Sequence, residues 1–249
     1  MCLFRNYVMN SLISLLAFVF IGAALVFAQH KGPTFNFHFY GNFKTKSIEE
    51  KLAGNVDLEQ VLSSAHVYGV GIIKDAEGEI TVYNGAIWLN YGRDGINVTQ
   101  NKIPKGEKAA FLITAEVDKW QTIVVPQNMS EQELYGFIRG QAKNLGLNPK
   151  LPFPFLVEGN IKDLVWDVLD GLDIISGKNG NHYLLRKLVE YREATQATLV
   201  GFYPAELRNE FPTPGELMHI NVLFKDEKIT GHASTFSVAK GALLELPLK

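Results

Sequence analysis

Six histidines and one cysteine are the side chains of this 249-residue chain best suited to hold a metal or attack a substrate. Two histidines on one β-strand reach a common ion only at i, i+2 spacing, because alternate residues share a face. A histidine standing alone on a strand is more often a satisfied core or surface residue, and His38, His66 and His182 are read in that way. Cys2 precedes a segment with the marks of a cleaved leader, so the mature chain would hold no thiol. Disulfides, thiol catalysis and cysteine-bound zinc are thereby excluded. Gly69-Val70-Gly71 has two glycines of a nucleotide-binding turn, but that turn needs a third and a helix start to hold phosphate. A hairpin pattern follows instead, so these glycines are expected to serve close packing within a sheet. Asp163, Asp167, Asp170 and Asp173, with Trp166 among them, are read as one solvated helix face. Asn97-Val98-Thr99 and Asn128-Met129-Ser130 match the glycosylation pattern, which arises readily by chance and matters only in a eukaryotic secretory pathway.

The elements that would position these groups can be traced along the chain. Arg5 followed by the apolar run Leu12 to Phe27, with small Ala28 ahead of Gln29, predicts a leader over residues 1–28 and an exported mature protein, periplasmic or extracellular. The alternative is a retained anchor helix, since the run approaches the roughly 17–25 residues that a span requires. The rest has a globular composition, 47% hydrophobic and 20% charged, with a formal charge of −2 and no basic tract. A nucleic-acid partner, which needs a Lys/Arg-rich face, is excluded. Alternating Phe35, Phe37 and Phe39 predict a strand. Asp57 can cap a short helix at Leu58, and Val67 to Ile73 and Ile80 to Tyr83 form a hairpin. Asn84-Gly85 turns the chain into Ala86 to Asn90.

Two further strands are expected at Phe111 to Val117 and Trp120 to Val125. Ser130 and Glu133 have the spacing of a capping box, opening a helix that Gly146 ends. The stiff Leu151-Pro152-Phe153-Pro154-Phe155 connector places a boundary between an N-terminal α/β half, 29–150, and a β-rich half, 151–249. Phe155 to Gly159, Ala197 to Tyr203, Glu216 to Phe224 and His232 to Val238 read as strands. Tyr183 to Glu193 is open between helix and strand.

Three ordered stretches resemble the alpha-acetolactate decarboxylase family. Val56-Asp57-Leu58-Glu59-Gln60-Val61-Leu62 leads into Gly69-Val70-Gly71-Ile72 and then Gly78-Glu79-Ile80-Thr81-Val82-Tyr83-Asn84-Gly85. Thr198-Leu199-Val200-Gly201-Phe202-Tyr203 precedes Pro214-Gly215, and Gly231-His232 with Phe236 completes the set. The resemblance implies an α/β fold in two parts built on mixed or antiparallel sheet, and a divergent member of the family. It implies a lyase that converts 2-acetolactate to acetoin and carbon dioxide, in acetoin biosynthesis, with zinc held by a His-x-His pair, a third histidine and a glutamate. Loss of carbon dioxide from a β-keto acid leaves electron density on an enediolate, which a divalent cation would stabilise.

Carried onto this chain, the resemblance makes His219, His232 and Glu79 the metal ligands, with Glu79 also the catalytic acid or base. Leu217 stands at the first position of the His-x-His pair, and Leu156-Val157-Glu158-Gly159 at the family's arginine motif. The family's acidic C-terminal tail has no counterpart after Pro247-Leu248-Lys249. Two functions are therefore expected to compete: a metal-dependent lyase acting on a small 2-hydroxy-3-keto acid, and an exported non-catalytic relative that uses the scaffold as a binding module. No stable membrane insertion is expected once the leader is cleaved, and a homodimer is the assembly to test.

Overall fold

The computed structural model describes residues 36–41, 48–54, 56–61, 65–93, 96–177, 180–204 and 217–248, all within one unit spanning 31–249. The leader expected at 1–28, Pro214, Gly215 and Glu216 lie outside the described residues. In chain order the elements are β1 (Phe37–Tyr40), α1 (Ile48–Leu52), β2 (Val56–Asp57), α2 (Leu58–Val61), β3 (Val67–Ile73), β4 (Gly78–Tyr83), β5 (Ala86–Arg93), β6 (Ile96–Gln100), β7 (Lys108–Glu116), β8 (Trp120–Val124), β9 (Met129–Ser130), α3 (Glu131–Asn144), β10 (Phe153–Gly177), β11 (Gly180–Tyr203), β12 (His219–Phe224), β13 (Ile229–Val238) and β14 (Leu243–Pro247).

These strands form two seven-stranded sheets, β1-β7-β3-β4-β5-β6 with β2 beside β7, and β8-β14-β10-β11-β12-β13-β9. Every described pairing is antiparallel. The result is a mostly antiparallel, two-sheet protein with few helices. In the second sheet β13 also pairs with β10, so β10, β11, β12 and β13 close into a ring. Its apolar filling includes Phe155, Val157, Leu164, Trp166, Leu199, Ile220 and Val222, and α3 adds its buried face of Leu134, Ile138 and Ala142. A second cluster lies where the sheets meet, joining Ile72, Phe111 and Ile113 of the first to Leu156, Leu169, Val200 and Phe202 of the second.

Local signals shape several elements. The Asp57 carboxylate accepts the Glu59 amide at 3.0 Å and starts α2. Ser130 and Glu133 form the expected capping box. Asn84 and Gly85 both take positive φ, 50° and 77°, as the tight turn between β4 and β5 requires. A Cβ at Gly71 would strike the Phe111 carbonyl oxygen and the Leu112 backbone, and one at Gly69 would lie 2.8 Å from the Ile113 oxygen. The glycine pair thus serves close packing against β7.

The acidic stretch does not form a helix. Lys162 to Ile175 belongs to the 25-residue β10, and Tyr183 to Glu193 to the 24-residue β11 paired with it. Asp163 is exposed, whereas Asp167 is only 3% exposed and lies opposite His232 of β13. The solvated helix face is therefore corrected to a strand whose acidic residues part company: one is buried and the others remain at the surface.

Candidate functional site

Strand register brings the chemistry-bearing residues into two facing rows. Across the first sheet, Phe111, Ile72, Glu79 and Asn90 stand opposite one another on β7, β3, β4 and β5. Across the second, Val200, Asn221, His232 and Asp167 do the same on β11, β12, β13 and β10. His219 lies two residues before Asn221 and so on the same face of β12. The rows meet: the Phe111 ring packs edge-on against His219 at 5.4 Å between centroids. The Asn90 amide donates to the Thr230 carbonyl, and the Asn221 amide donates to the Ile80 carbonyl and the Thr81 hydroxyl, each at 3.0 Å.

Both histidines predicted from the resemblance therefore share one face between the sheets, their rings stacked with centroids 5.1 Å apart. They are 1% and 6% exposed, and Glu79 is 2% exposed on the facing sheet. Asp167 adds a group that sequence reasoning placed elsewhere. Its carboxylate lies 3.6 Å from His232 Nδ1, accepts the Ser234 hydroxyl, and pairs with Lys187 Nζ at 2.9 Å. Burial alone would raise the Asp167 pKa, but the hydrogen bond and charge of His232, the Ser234 hydroxyl and Lys187 outweigh it and hold the pKa at about 2. The carboxylate is thus an anion fixed behind the His232 ring, an arrangement that orients an imidazole.

Among the described residues, no group of three or more His, Cys, Asp or Glu stands together so as to hold a metal ion. At the first position of the family's pair, Leu217 is partly buried against the core of the ring. Leu156, at the arginine position, is 2% exposed and packed in the apolar cluster between the sheets. Leucine at these two positions removes one metal donor and one cation from the set that the resemblance implies.

His38 is exposed and stacks on Tyr40, and His66 is an exposed turn residue with φ of 64°; neither approaches this face. Among the described residues no helix is long and apolar enough to cross a membrane.

The sequence pattern of the alpha-acetolactate decarboxylase family matches residues 46–246. No curated protein matches. A Staphylococcus aureus protein of unknown function, described as similar to alpha-acetolactate decarboxylase, superposes with a TM-score of 0.63 at 16% identity, covering 84% of both chains. The alpha-acetolactate decarboxylase of Bacillus subtilis strain 168 gives 0.59 at 13% identity, covering 81% of both. The acetolactate decarboxylase of Bacillus subtilis subspecies spizizenii gives 0.59 at 16%, again over 81% of both. At such identities the likeness is one of fold.

Proposed function

Because the chain belongs to the alpha-acetolactate decarboxylase family, we propose that the face carrying His219 and His232 takes the family's substrate class, a small 2-hydroxy-3-keto acid. We propose further that it acts there as a carboxy-lyase of much reduced power. The observation that supports this reading is the stacked, buried histidine pair backed by Asp167 and faced by the sheet that carries Glu79.

The chemistry follows from these residues. Loss of carbon dioxide from the acid leaves negative charge on an enediolate oxygen. A His232 imidazole held by the Asp167 carboxylate can carry a proton, present positive charge to that oxygen, and return the proton to carbon. His219, stacked beside it, can hydrogen-bond the substrate hydroxyl, and the enclosing sheets exclude water. Zinc would add a stronger electron sink if it were bound.

Two replacements weaken the site. Leu156 cannot give the substrate carboxylate the charge-assisted hydrogen bond of an arginine, a contact worth roughly 1.5–3 kcal/mol. Leu217 removes a metal donor. Since about 1.36 kcal/mol is tenfold in rate, decarboxylation is expected at least about a hundredfold below that of a relative with the full His-x-His pair and arginine. The apolar packing of Leu156 and Leu217 specifically favours the second reading, a relative that binds the acid without turning it over.

Acetoin formation from racemic acetolactate, with and without added zinc and beside a His232→Ala control, distinguishes these outcomes. Slow turnover lost in the control supports the lyase; saturable binding without turnover supports the binding module. Turnover equal to that of an intact relative would sink the account of Leu156 and Leu217, and absence of both binding and turnover would sink the substrate class.

A further inference from the structure

The first sheet has a second face, turned away from the histidine pair. Phe37 and Phe39 pack into the cluster between the sheets, so Asn36, His38 and Tyr40 stand on the opposite side of that stretch. Tyr40 and Val67 belong to the apolar cluster of this outer face. Here lies a cavity of about 250 Å³, bordered by Asn36, His38 and Tyr40, by Gln60 of α2, and by Thr114 and Glu116 of β7. Strand register accounts for the convergence, because His38 stands opposite Thr114 and the Glu116 amide donates to the Asn36 carbonyl at 3.1 Å.

Thr114, only 3% exposed, is a buried polar side chain on the wall of this cavity. Its neighbour on β3 is Gly69, where an added Cβ would lie 2.9 Å from Thr114 Cγ2. The methyl therefore rests on the glycine, and the staggered hydroxyl is turned away from β3. Among the described residues, neither that hydroxyl nor the side chains of Asn36, Gln60 and Glu116 make a hydrogen bond. Polar groups that converge on a hollow without bonding one another keep their donors and acceptors for an occupant.

We propose that this cavity binds one small neutral ring polyol, the chemistry of a monosaccharide. The lining chooses the class. No Lys or Arg stands in its described part, so an anion would find no counter-charge. Glu116 is its one carboxylate, and no group of three His, Cys, Asp or Glu assembles around a metal ion among the described residues. The apolar remainder is two valines and an alanine, too little for a lipid tail. Two amides, a carboxylate and a hydroxyl together offer the donors and acceptors that neighbouring sugar hydroxyls need. The near-parallel His38 and Tyr40 rings, 6.0 Å apart at 22°, add aromatic surface, whose electron-rich face receives the C–H side of a sugar ring. The volume falls below the roughly 300–1,000 Å³ of drug-sized sites and admits one ring rather than a chain. This inference is independent of the decarboxylase reading.

Saturation-transfer NMR with the purified full chain should detect binding of at least one of glucose, galactose, mannose and myo-inositol at millimolar concentration. Thr114→Val, which exchanges the hydroxyl for a methyl of the same shape, should weaken that binding about three- to tenfold. His38→Ala, at an exposed side chain, should weaken it by a similar factor. Glu116→Gln keeps an acceptor in place and should change the affinity by less than about threefold, as a neutral ligand allows. His232→Ala should leave it unchanged, which separates this cavity from the histidine site. Silence from all four probes would overturn the proposal, as would binding that Thr114→Val and His38→Ala leave intact. Ethanolamine binding in their place, and lost in Glu116→Gln, would overturn it in favour of a cation. Circular dichroism confirms folding of each variant.

Discussion

At the scale of single residues, the site turns on a distinction between side chains that share a face and side chains that merely share a neighbourhood. Leu217 stands two residues before His219, in a bend that leads into β12 rather than in the strand expected from Glu216, and leucine offers no lone pair to an ion. Leu217→His is expected to raise zinc affinity above that of the wild type, measured by calorimetric titration of the purified variant. If position 217 is not the partner of 219, the new imidazole will be buried without a hydrogen bond, lowering stability by about 1–3 kcal/mol with no gain in zinc. Asp167 illustrates the converse. Sixty-five positions from His232 in sequence, it fixes that imidazole because strand pairing sets the two opposite each other.

At the scale of elements, α3 owes its start to four atoms. The Glu133 carboxylate accepts the Ser130 amide and hydroxyl at 2.8 Å each, while the Ser130 oxygen accepts the Glu133 amide. Removing the hydroxyl in Ser130→Ala should cost about 1 kcal/mol in urea unfolding. The backbone bond from Ser130, then its hydroxyl, hold the Glu133 pKa below the ordinary carboxylate value. A group whose pKa falls on folding stabilises the fold above its unfolded pKa and loses that contribution as pH drops through the folded value. The difference between wild type and Glu133→Gln should therefore be present near neutrality and shrink as the solution is acidified below the usual carboxylate range. A difference that grew on acidification would contradict the assigned direction.

At the scale of the whole molecule, the two sheets meet through a polar seam as well as through apolar packing. Thr81 and Thr230 hydroxyls lie 2.6 Å apart, Thr230 also donates to the Val222 carbonyl, and Asn221 spans to Ile80 and Thr81. All four polar side chains, Asn90 included, are buried. Such a seam fixes how one sheet registers on the other, because a one-residue slip would strand every member. Asn221→Leu keeps the volume roughly constant but leaves the Ile80 carbonyl without that donor, so a loss of about 1–3 kcal/mol is expected in denaturant unfolding. Unchanged stability would mean that the apolar cluster alone sets the sheet-to-sheet fit.

The sequence by itself determined the features that depend on near neighbours: the strands β1, β3 and β4, the Asn84-Gly85 turn, the capping box, the packing role of Gly69 and Gly71, and the family with its antiparallel-sheet fold. It also put His219 and His232 in one site, through the resemblance. Only the tertiary structure decided the long hairpin. Asp163 at φ 50° and Gly171 at φ 96° accompany shifts in the pairing of β10, and each shift resets the period-two pattern. The aspartates then fall at 163, 167, 170 and 173, a spacing that imitates a helix face. Which of them is buried depends on β13 arriving beside β10, a contact that no local pattern encodes. The placing of Glu79 on the sheet that faces the histidines likewise depends on how two independently patterned sheets come to rest against each other, and so could be read only from the assembled fold.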